Sequence, residues 1–156
     1  MELYLARHGS AEDAAPDAER VLTKRGVEET EAMARWLRKL RLNLDFIWHS
    51  GKTRALQTAV IFHEKLEPKP KISQVEGLKP DDDPKAILEK LKTTVAKRGM
   101  IVGHLPHLGK LAALLLSGNA GGTVVELEKS AVLCLSNDSG NWAVRWLIHP
   151  KIAPDA

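Results

Sequence analysis

Met1-Glu2-Leu3-Tyr4-Leu5-Ala6-Arg7-His8-Gly9 is the stretch of sequence that decides the fold. An apolar run as long as a β-strand leads directly into a basic residue, a histidine and a glycine. In α/β proteins, ligands bind where a strand ends in such a turn. An imidazole can act as a nucleophile, and a guanidinium group matches the oxygens of a phosphoryl group. The start of the chain therefore predicts a strand that carries phosphate chemistry at its carboxyl end.

The same arrangement recurs twice along the chain. Arg54 follows the apolar run 46–48, and His104 follows the apolar run 100–102. The carboxyl ends of parallel strands lie at one edge of a sheet, so we expect these residues to share one site with His8. His8 is the candidate nucleophile, although a loop histidine bonded to the backbone is the alternative for any isolated histidine.

The neighbours of these residues favour a phosphate site. Arg7 precedes His8, and Gly9 allows the backbone to approach a ligand closely. Arg54 is predicted in the first turn of a helix, where its charge opposes the helix dipole unless an anion lies between them. A solvated surface arginine remains the alternative. His104 could donate to a phosphoryl oxygen.

Metal binding is not predicted. His107 follows His104 by three residues, but Pro106 stands between them and no third ligand has a suitable spacing. We therefore expect no metal and no other cofactor at the site. Phosphoryl transfer needs chiefly positioning and neutralisation of the oxygen charges, which cationic side chains can supply.

Strands and helices alternate along the chain, which predicts a three-layer α/β/α fold with a mostly parallel central sheet and an antiparallel strand at its edge. No linker or repeat interrupts residues 1–156, so we expect a single domain. The predicted strands are 1–6, 44–48, 72–75, 99–102, 123–127, 131–135 and 142–148. Helices are predicted from Thr23, over 52–66, after the turn 79–84 (with Leu88, Leu91 and Val95 buried) and from near Pro106.

Composition narrows the class of protein. The net charge of +3 comes without a lysine or arginine run, so nucleic acid is not an expected partner. The single cysteine, Cys134, excludes an internal disulfide and favours a reducing cytoplasm. The first apolar run is too short for a signal peptide, and the run 111–116 is too short to span a membrane. We expect a cytoplasmic protein without a membrane partner.

Five segments in this order resemble the histidine phosphatase superfamily and, within it, the small SixA-type phosphohistidine phosphatases. They cover residues 5–9, 17–23, 50–58, 75–78 and 102–106. The resemblance extends over nearly the whole chain. It implies that His8 is phosphorylated during turnover and that Arg7, Arg54 and His104 form the phosphate pocket.

The resemblance also implies a general acid and a further arginine. Glu76 stands where the superfamily often has its catalytic carboxylate, with the run Asp81, Asp82 and Asp83 as rival. Arg20 matches an arginine of the SixA pattern, and could either bind substrate or pair with the nearby Asp17. One departure is Gly51, at a position where the family usually has proline; it loosens the turn but removes no catalytic atom.

These observations favour a metal-independent phosphatase that acts on phosphohistidine of a partner protein through a phosphohistidine intermediate. No long insertion between strands could form a lid, and an uncovered site suits a phosphorylated side chain of a protein. Two alternatives remain open at this point. One is a phosphatase for a small phosphate ester, and the other is a module that binds phosphohistidine without turnover.

Overall fold

The computed structural model describes residues 1–153; residues 154–156, which the single-domain prediction includes, lie outside the described part of the chain. The strands within that part are β1 (Glu2–Arg7), β2 (Phe46–His49), β3 (Lys71–Gln74), β4 (Arg98–Gly103), β5 (Val132–Ser136) and β6 (Ala143–Ile148). The helices are α1 (Lys24–Lys39), α2 (Thr53–Lys65), α3 (Lys85–Thr93) and α4 (His107–Ser117), with a short 3-10 helix at Asp17–Glu19.

All six strands form one sheet in the order β3-β2-β4-β1-β5-β6. The first four strands in chain order pair in parallel, whereas β5 runs antiparallel to β1 and β6 antiparallel to β5. The mostly parallel sheet and its antiparallel edge confirm the predicted fold class. Strands β2, β4 and β1 are neighbours near the middle of the sheet, so their carboxyl ends lie side by side.

Side chains alternate between the two faces of the sheet, and each face is covered by a pair of helices. On β1, Leu3 and Leu5 pack on the face covered by α3 and α4, while Tyr4 and Ala6 pack on the face covered by α1 and α2. All four side chains have no exposed surface. This burial on both faces produces the three layers and explains why the strand reads as a continuous apolar run.

The helix ends follow local chemistry. Thr23 caps α1 as predicted, because its side-chain oxygen accepts a hydrogen bond of 2.9 Å from the backbone N–H of Gly26. Helix α4 ends at Ser117 and is capped by Gly118, whose φ of +77° lies in the left-handed region that glycine adopts without strain. Among the helices of residues 1–153, none is long and apolar enough to cross a membrane.

Two predictions are wrong in detail. Residues 123–127 form no strand; they lie in an irregular segment, and it is β5 that pairs with β1. Leu127 still enters the core, at 2% exposure. Helix α3 ends at Thr93, and Val95 beyond it is 99% exposed instead of buried. The periodicity of apolar residues continues past the point where the helix stops, so it misplaces Val95.

Candidate active site

The two histidines come from the ends of neighbouring strands. Arg7 of β1 stands opposite Gly103 of β4, and His8 and His104 are the next residues along each strand. The backbone N–H of His8 donates to the carbonyl of Gly103 at 3.0 Å, which fixes the two strand ends against each other. The centroids of the two imidazole rings are 5.1 Å apart. The structure thus brings together the pair that the sequence predicts.

The His8 ring is oriented by its own turn. Its Nδ1 atom lies 2.7 Å from the carbonyl oxygen of Gly9. A carbonyl only accepts hydrogen bonds, so Nδ1 carries the proton and the lone pair of the neutral ring is on Nε2. His8 is 7% exposed. Burial, reinforced by the charges of Arg54, Arg7 and Lys129, holds its pKa at about 4, below the ordinary 6.5, so the ring is neutral at pH 7.

His104 is held by Ser50, the residue that follows β2. The Oγ atom of Ser50 lies 2.6 Å from Nε2 of His104 and also accepts a bond of 3.3 Å from the N–H of Lys52. If the Ser50 hydroxyl donates its hydrogen to Nε2, the ring proton of the neutral His104 lies on Nδ1. Burial, together with the charges of His8, Arg54 and Lys52, lowers the pKa of His104 to about 3.

The two arginines are anchored at their outer atoms. Arg54 lies in the first turn of α2, as predicted, and is 5% exposed. Its Nη1 atom donates to the carbonyl of Asp17 at 2.9 Å. Nη1 of Arg7 donates to the carbonyl of Leu127 at 2.9 Å. In both arginines one end of the guanidinium group is thus fixed by a backbone oxygen, and burial lowers the pKa of Arg7.

Three buried nitrogen atoms around His8 have no hydrogen-bond partner within residues 1–153: Nε of Arg7, Nε of Arg54 and Nδ1 of His104. Buried polar atoms are almost always satisfied in folded proteins, so unsatisfied ones need an explanation, and a bound ligand would supply one for these three. All three belong to residues that the sequence identifies as phosphate ligands. Donors of this kind, two of them cationic, are suited to an oxyanion.

Asp17 is a residue at the site whose contacts sequence reasoning missed. Its carboxylate lies 2.5 Å from Nζ of Lys52, 3.3 Å from Nη1 of Arg20 and 3.4 Å from Nη2 of Arg54. Hydrogen bonding to Lys52 is the main cause that lowers its pKa below the ordinary value. The spacing of Asp17 and Arg20 in the sequence indicated that these two residues could pair. Nothing in the sequence indicated the contact between Asp17 and Arg54.

Arg20 therefore pairs with Asp17, one of its two alternatives. Its Nε atom also donates to the carbonyl of Glu12 at 2.7 Å. These contacts tie Arg20 into the loop between β1 and α1, and its side chain is 24% exposed. Whether it touches substrate stays a prediction.

Close packing requires the glycine at position 9, and the backbone conformation favours the glycine at position 51. The N–H of Gly9 donates to Oγ1 of Thr58 at 3.0 Å, and a Cβ atom on Gly9 would lie 2.8 Å from Oγ1 of Thr30. Gly9 therefore allows helix α1 to pack closely against the backbone of the site. Gly51 has a φ of +89°, and its N–H donates to Nδ1 of His49 at 3.1 Å. Proline has neither that φ nor an N–H, so this turn is one that glycine makes possible.

The candidate acids follow β3, the outermost strand on one side of the sheet. Glu76 comes two residues after β3 and is exposed. The carboxylates of Asp82 and Asp83 accept backbone N–H bonds of 2.9 Å from Lys79 and Lys85, so both are used in the turn before α3. Exposed Asp81 belongs to the same turn. Because Asp82 and Asp83 are engaged in backbone hydrogen bonds, Glu76 is the favoured candidate. Its role as the acid stays a prediction.

His107 is fully buried at the start of α4, and burial lowers its pKa. Among residues 1–153 no group of three or more His, Cys, Asp and Glu side chains is placed to hold a metal ion. The pair of His104 and His107 that the sequence raised therefore gains no third ligand there.

A cavity of 630 Å³ opens beside Arg7. Helix α4 and the turn before it form one wall, with Leu105 and Pro106, and the irregular segment 120–128 forms the other. The cavity is mostly apolar apart from Arg7, Lys110, Glu126 and Glu128. A group much larger than a phosphate can therefore lie next to the site.

The chain is similar to proteins of one known family. The family model for the histidine phosphatase superfamily (branch 1) matches residues 3–79. The phosphohistidine phosphatase SixA of Escherichia coli is 30% identical over 155 residues, which are 96% of this chain and 94% of that protein. An uncharacterized protein of Picosynechococcus is 34% identical over 142 residues, or 86% of this chain and 84% of that one.

A solved structure extends the likeness to three dimensions. The protein histidine phosphatase SixA complexed with tungstate superposes with a TM-score of 0.85 at 29% identity, over 97% of this chain and 98% of that one. Tungstate is a tetrahedral oxyanion like phosphate. The similar fold therefore carries, in that protein, a ligand of the kind that the unsatisfied donors described above would suit.

Proposed function

We propose that this chain, which belongs to the histidine phosphatase superfamily, is a phosphatase that hydrolyses phosphohistidine on a partner protein through a phosphohistidine intermediate at His8. The observation that carries the proposal is the His8 ring. It is buried, neutral at pH 7 and fixed by the Gly9 carbonyl so that Nε2 carries the lone pair. A nucleophile at nitrogen needs that neutral form and that tautomer.

In the first step, Nε2 of His8 attacks the phosphorus atom. A bond between Nε2 and phosphorus forms as the bond from phosphorus to the substrate's imidazole nitrogen breaks, and that imidazole leaves as a neutral ring once protonated. Arg7, Arg54 and His104 would bind the three phosphoryl oxygens through their unsatisfied donors. Neutralising this charge is the main catalytic requirement in phosphoryl transfer.

In the second step, water attacks phospho-His8. The bond between Nε2 and phosphorus breaks, phosphate leaves, and the proton that water loses passes to a base. Glu76 is the proposed acid in the first step and base in the second. An imidazole is a better leaving group than an alkoxide, so an exposed and loosely held acid is sufficient for phosphohistidine. A sugar phosphate would need a better-placed acid.

The surroundings support a protein as the substrate. The cavity beside Arg7 is open and mostly apolar, and it adjoins the site without enclosing it. A phosphohistidine side chain could reach His8 while its own protein packs against α4 and the segment 120–128. The likeness to relatives named phosphohistidine phosphatase supports the same substrate class.

The test is the fate of labelled phosphate from a phosphohistidine protein. The parent chain should release phosphate in the presence of EDTA, and rapid quenching in alkali, in which phosphohistidine survives, should trap label on the enzyme. His8→Ala should remain folded and lose several orders of magnitude in turnover, with no trapped label. His63→Ala, at the opposite end of α2 from Arg54, is the matched control and should behave like the parent.

Each other outcome decides against part of the proposal. Near-normal turnover in folded His8→Ala would overturn the covalent mechanism. Binding of the phosphohistidine protein with neither trapped label nor released phosphate would favour the module that binds phosphohistidine without turnover. Faster hydrolysis of small phosphate esters than of the phosphohistidine protein would favour the first alternative. Loss of activity with EDTA that a divalent ion restores would show a metal requirement.

A further inference from the structure

Asp17 connects the loop before α1 to the start of α2. Its carboxylate contacts Lys52, Arg20 and Arg54, and its carbonyl accepts the 2.9 Å bond from Nη1 of Arg54. The same carbonyl accepts the backbone N–H of Arg20 at 3.2 Å, which closes the 3-10 helix. One residue thus holds three cationic side chains in a fixed arrangement.

The contact with Arg54 differs from an ordinary surface ion pair. The Arg54 side chain is 6% exposed, and it lies in the first helical turn, where the dipole offers a cation no support. Asp17 engages the two terminal nitrogens, Nη1 and Nη2, on the outer side of the guanidinium plane. Nε has no partner within residues 1–153. The plane is therefore fixed from outside while one donor is kept for a ligand.

We propose that Asp17 is a positioning residue that orients the guanidinium group of Arg54 towards the phosphoryl group of the substrate. This inference rests on the proposed function. Asp17 itself touches neither substrate nor His8. It acts through Arg54: the carbonyl of residue 17 holds Nη1, and the Asp17 carboxylate is the one carboxylate in the described chain that pairs with the guanidinium group, at Nη2.

A second effect of Asp17 opposes the first. Its negative charge competes with an anionic ligand for the same cations, so its removal should strengthen phosphate binding. That gain is small, because the Asp17 side chain is 54% exposed and exposed pairs change binding by less than about five-fold. Misplacing a group in the transition state costs up to about 100-fold. Orientation therefore dominates turnover, and the two effects nearly cancel in phosphate binding.

The experiment compares Asp17→Asn with Glu19→Gln. Glu19 is an exposed acid in the same 3-10 helix, and its carboxylate makes no ion pair in the described structure. For each variant we would measure kcat and KM on the phosphohistidine protein and the inhibition constant of inorganic phosphate. We expect kcat of Asp17→Asn to fall about 10- to 100-fold while the inhibition constant stays within about five-fold. Glu19→Gln should match the parent.

The alternatives give different patterns. An unchanged kcat in Asp17→Asn would overturn the inference. An unchanged kcat together with tighter binding of inorganic phosphate would show that Asp17 only competes with the ligand. A kcat and a phosphate affinity that fall together by more than about ten-fold, with a lower unfolding midpoint, would show a structural role and overturn it as well. If the parent chain itself shows no turnover, the proposed function is overturned, and the inference with it. This outcome differs from the patterns above because it is seen before any variant is measured.

Discussion

Two buried histidines at the strand ends should make the stability of this protein fall steeply in mildly acidic solution. His8 and His104 have pKa values of about 4 and about 3 in the folded chain, against 6.5 for an ordinary histidine. Below pH 6.5 the unfolded chain binds protons at both rings while the folded chain does not. Protons therefore favour unfolding, and stability is lost as pH falls from about 6.5 towards the folded pKa values.

The magnitude follows from the two shifts. At pH 5 an ordinary histidine is largely protonated, whereas both rings are largely neutral in the folded chain. Each ring then lowers the free energy of unfolding by ~2 kcal/mol relative to pH 7.5, and the pair by ~4 kcal/mol. Burial lowers the pKa values of His49 and His107 too, which adds to the same trend.

The assay is urea unfolding at pH 5 and at pH 7.5 for the parent, His8→Asn, His104→Gln and the double variant. The quantity compared is the change between the two pH values, so that the direct cost of each substitution cancels. Each single variant should lose ~2 kcal/mol less than the parent, and the double variant ~4 kcal/mol less. Equal pH dependence in all four proteins would refute the reasoning that these two rings are held neutral by burial.

Two further predictions concern turnover. Arg54→Lys should be severely impaired in kcat/KM, because a point charge replaces a planar group that is fixed by Asp17 and donates from several nitrogens. A kcat/KM within a few-fold of the parent value would show that Arg54 contributes only its positive charge. Glu76→Gln should slow hydrolysis of an alkyl phosphate by roughly 10²–10⁴-fold and of phosphohistidine much less, since only the alkoxide needs a proton as it leaves. The ratio of the two rates in parent and variant measures this, and equal losses would speak against Glu76 as the acid.

Much of the fold could be predicted because the helices and central strands have clear patterns. The buried run at β1 and the apolar spacing of Ala55, Ala59 and Phe62 on α2 depend on local periodicity, and all three of these α2 side chains are fully buried. The segment 123–127 was not predictable in this way. Its β-branched residues favour a strand, but β5 pairs with β1. The sequence of five residues does not indicate which distant strand they would pair with.

The site was partly predictable for the same reason. His8, Arg54 and His104 stand next to strand ends, so the rule for parallel sheets brings them together. Asp17 lies in the short 3-10 helix between β1 and α1, and its contact with Arg54 joins residues 37 positions apart. No periodicity or motif encodes that distance. Ser50 was likewise only part of a motif until its contact with His104 gave it a role.

The bond between Arg7 and the Leu127 carbonyl bears on how this protein could change its partner. A main-chain oxygen is present whatever side chain the residue carries. The outer side chains of the segment 120–126 are largely exposed and take no part in holding Arg7. Under the proposed function, mutations can therefore accumulate along this wall of the cavity and alter which partner proteins fit there, while the guanidinium group stays in place. Specificity and catalysis can evolve separately at this edge of the sheet.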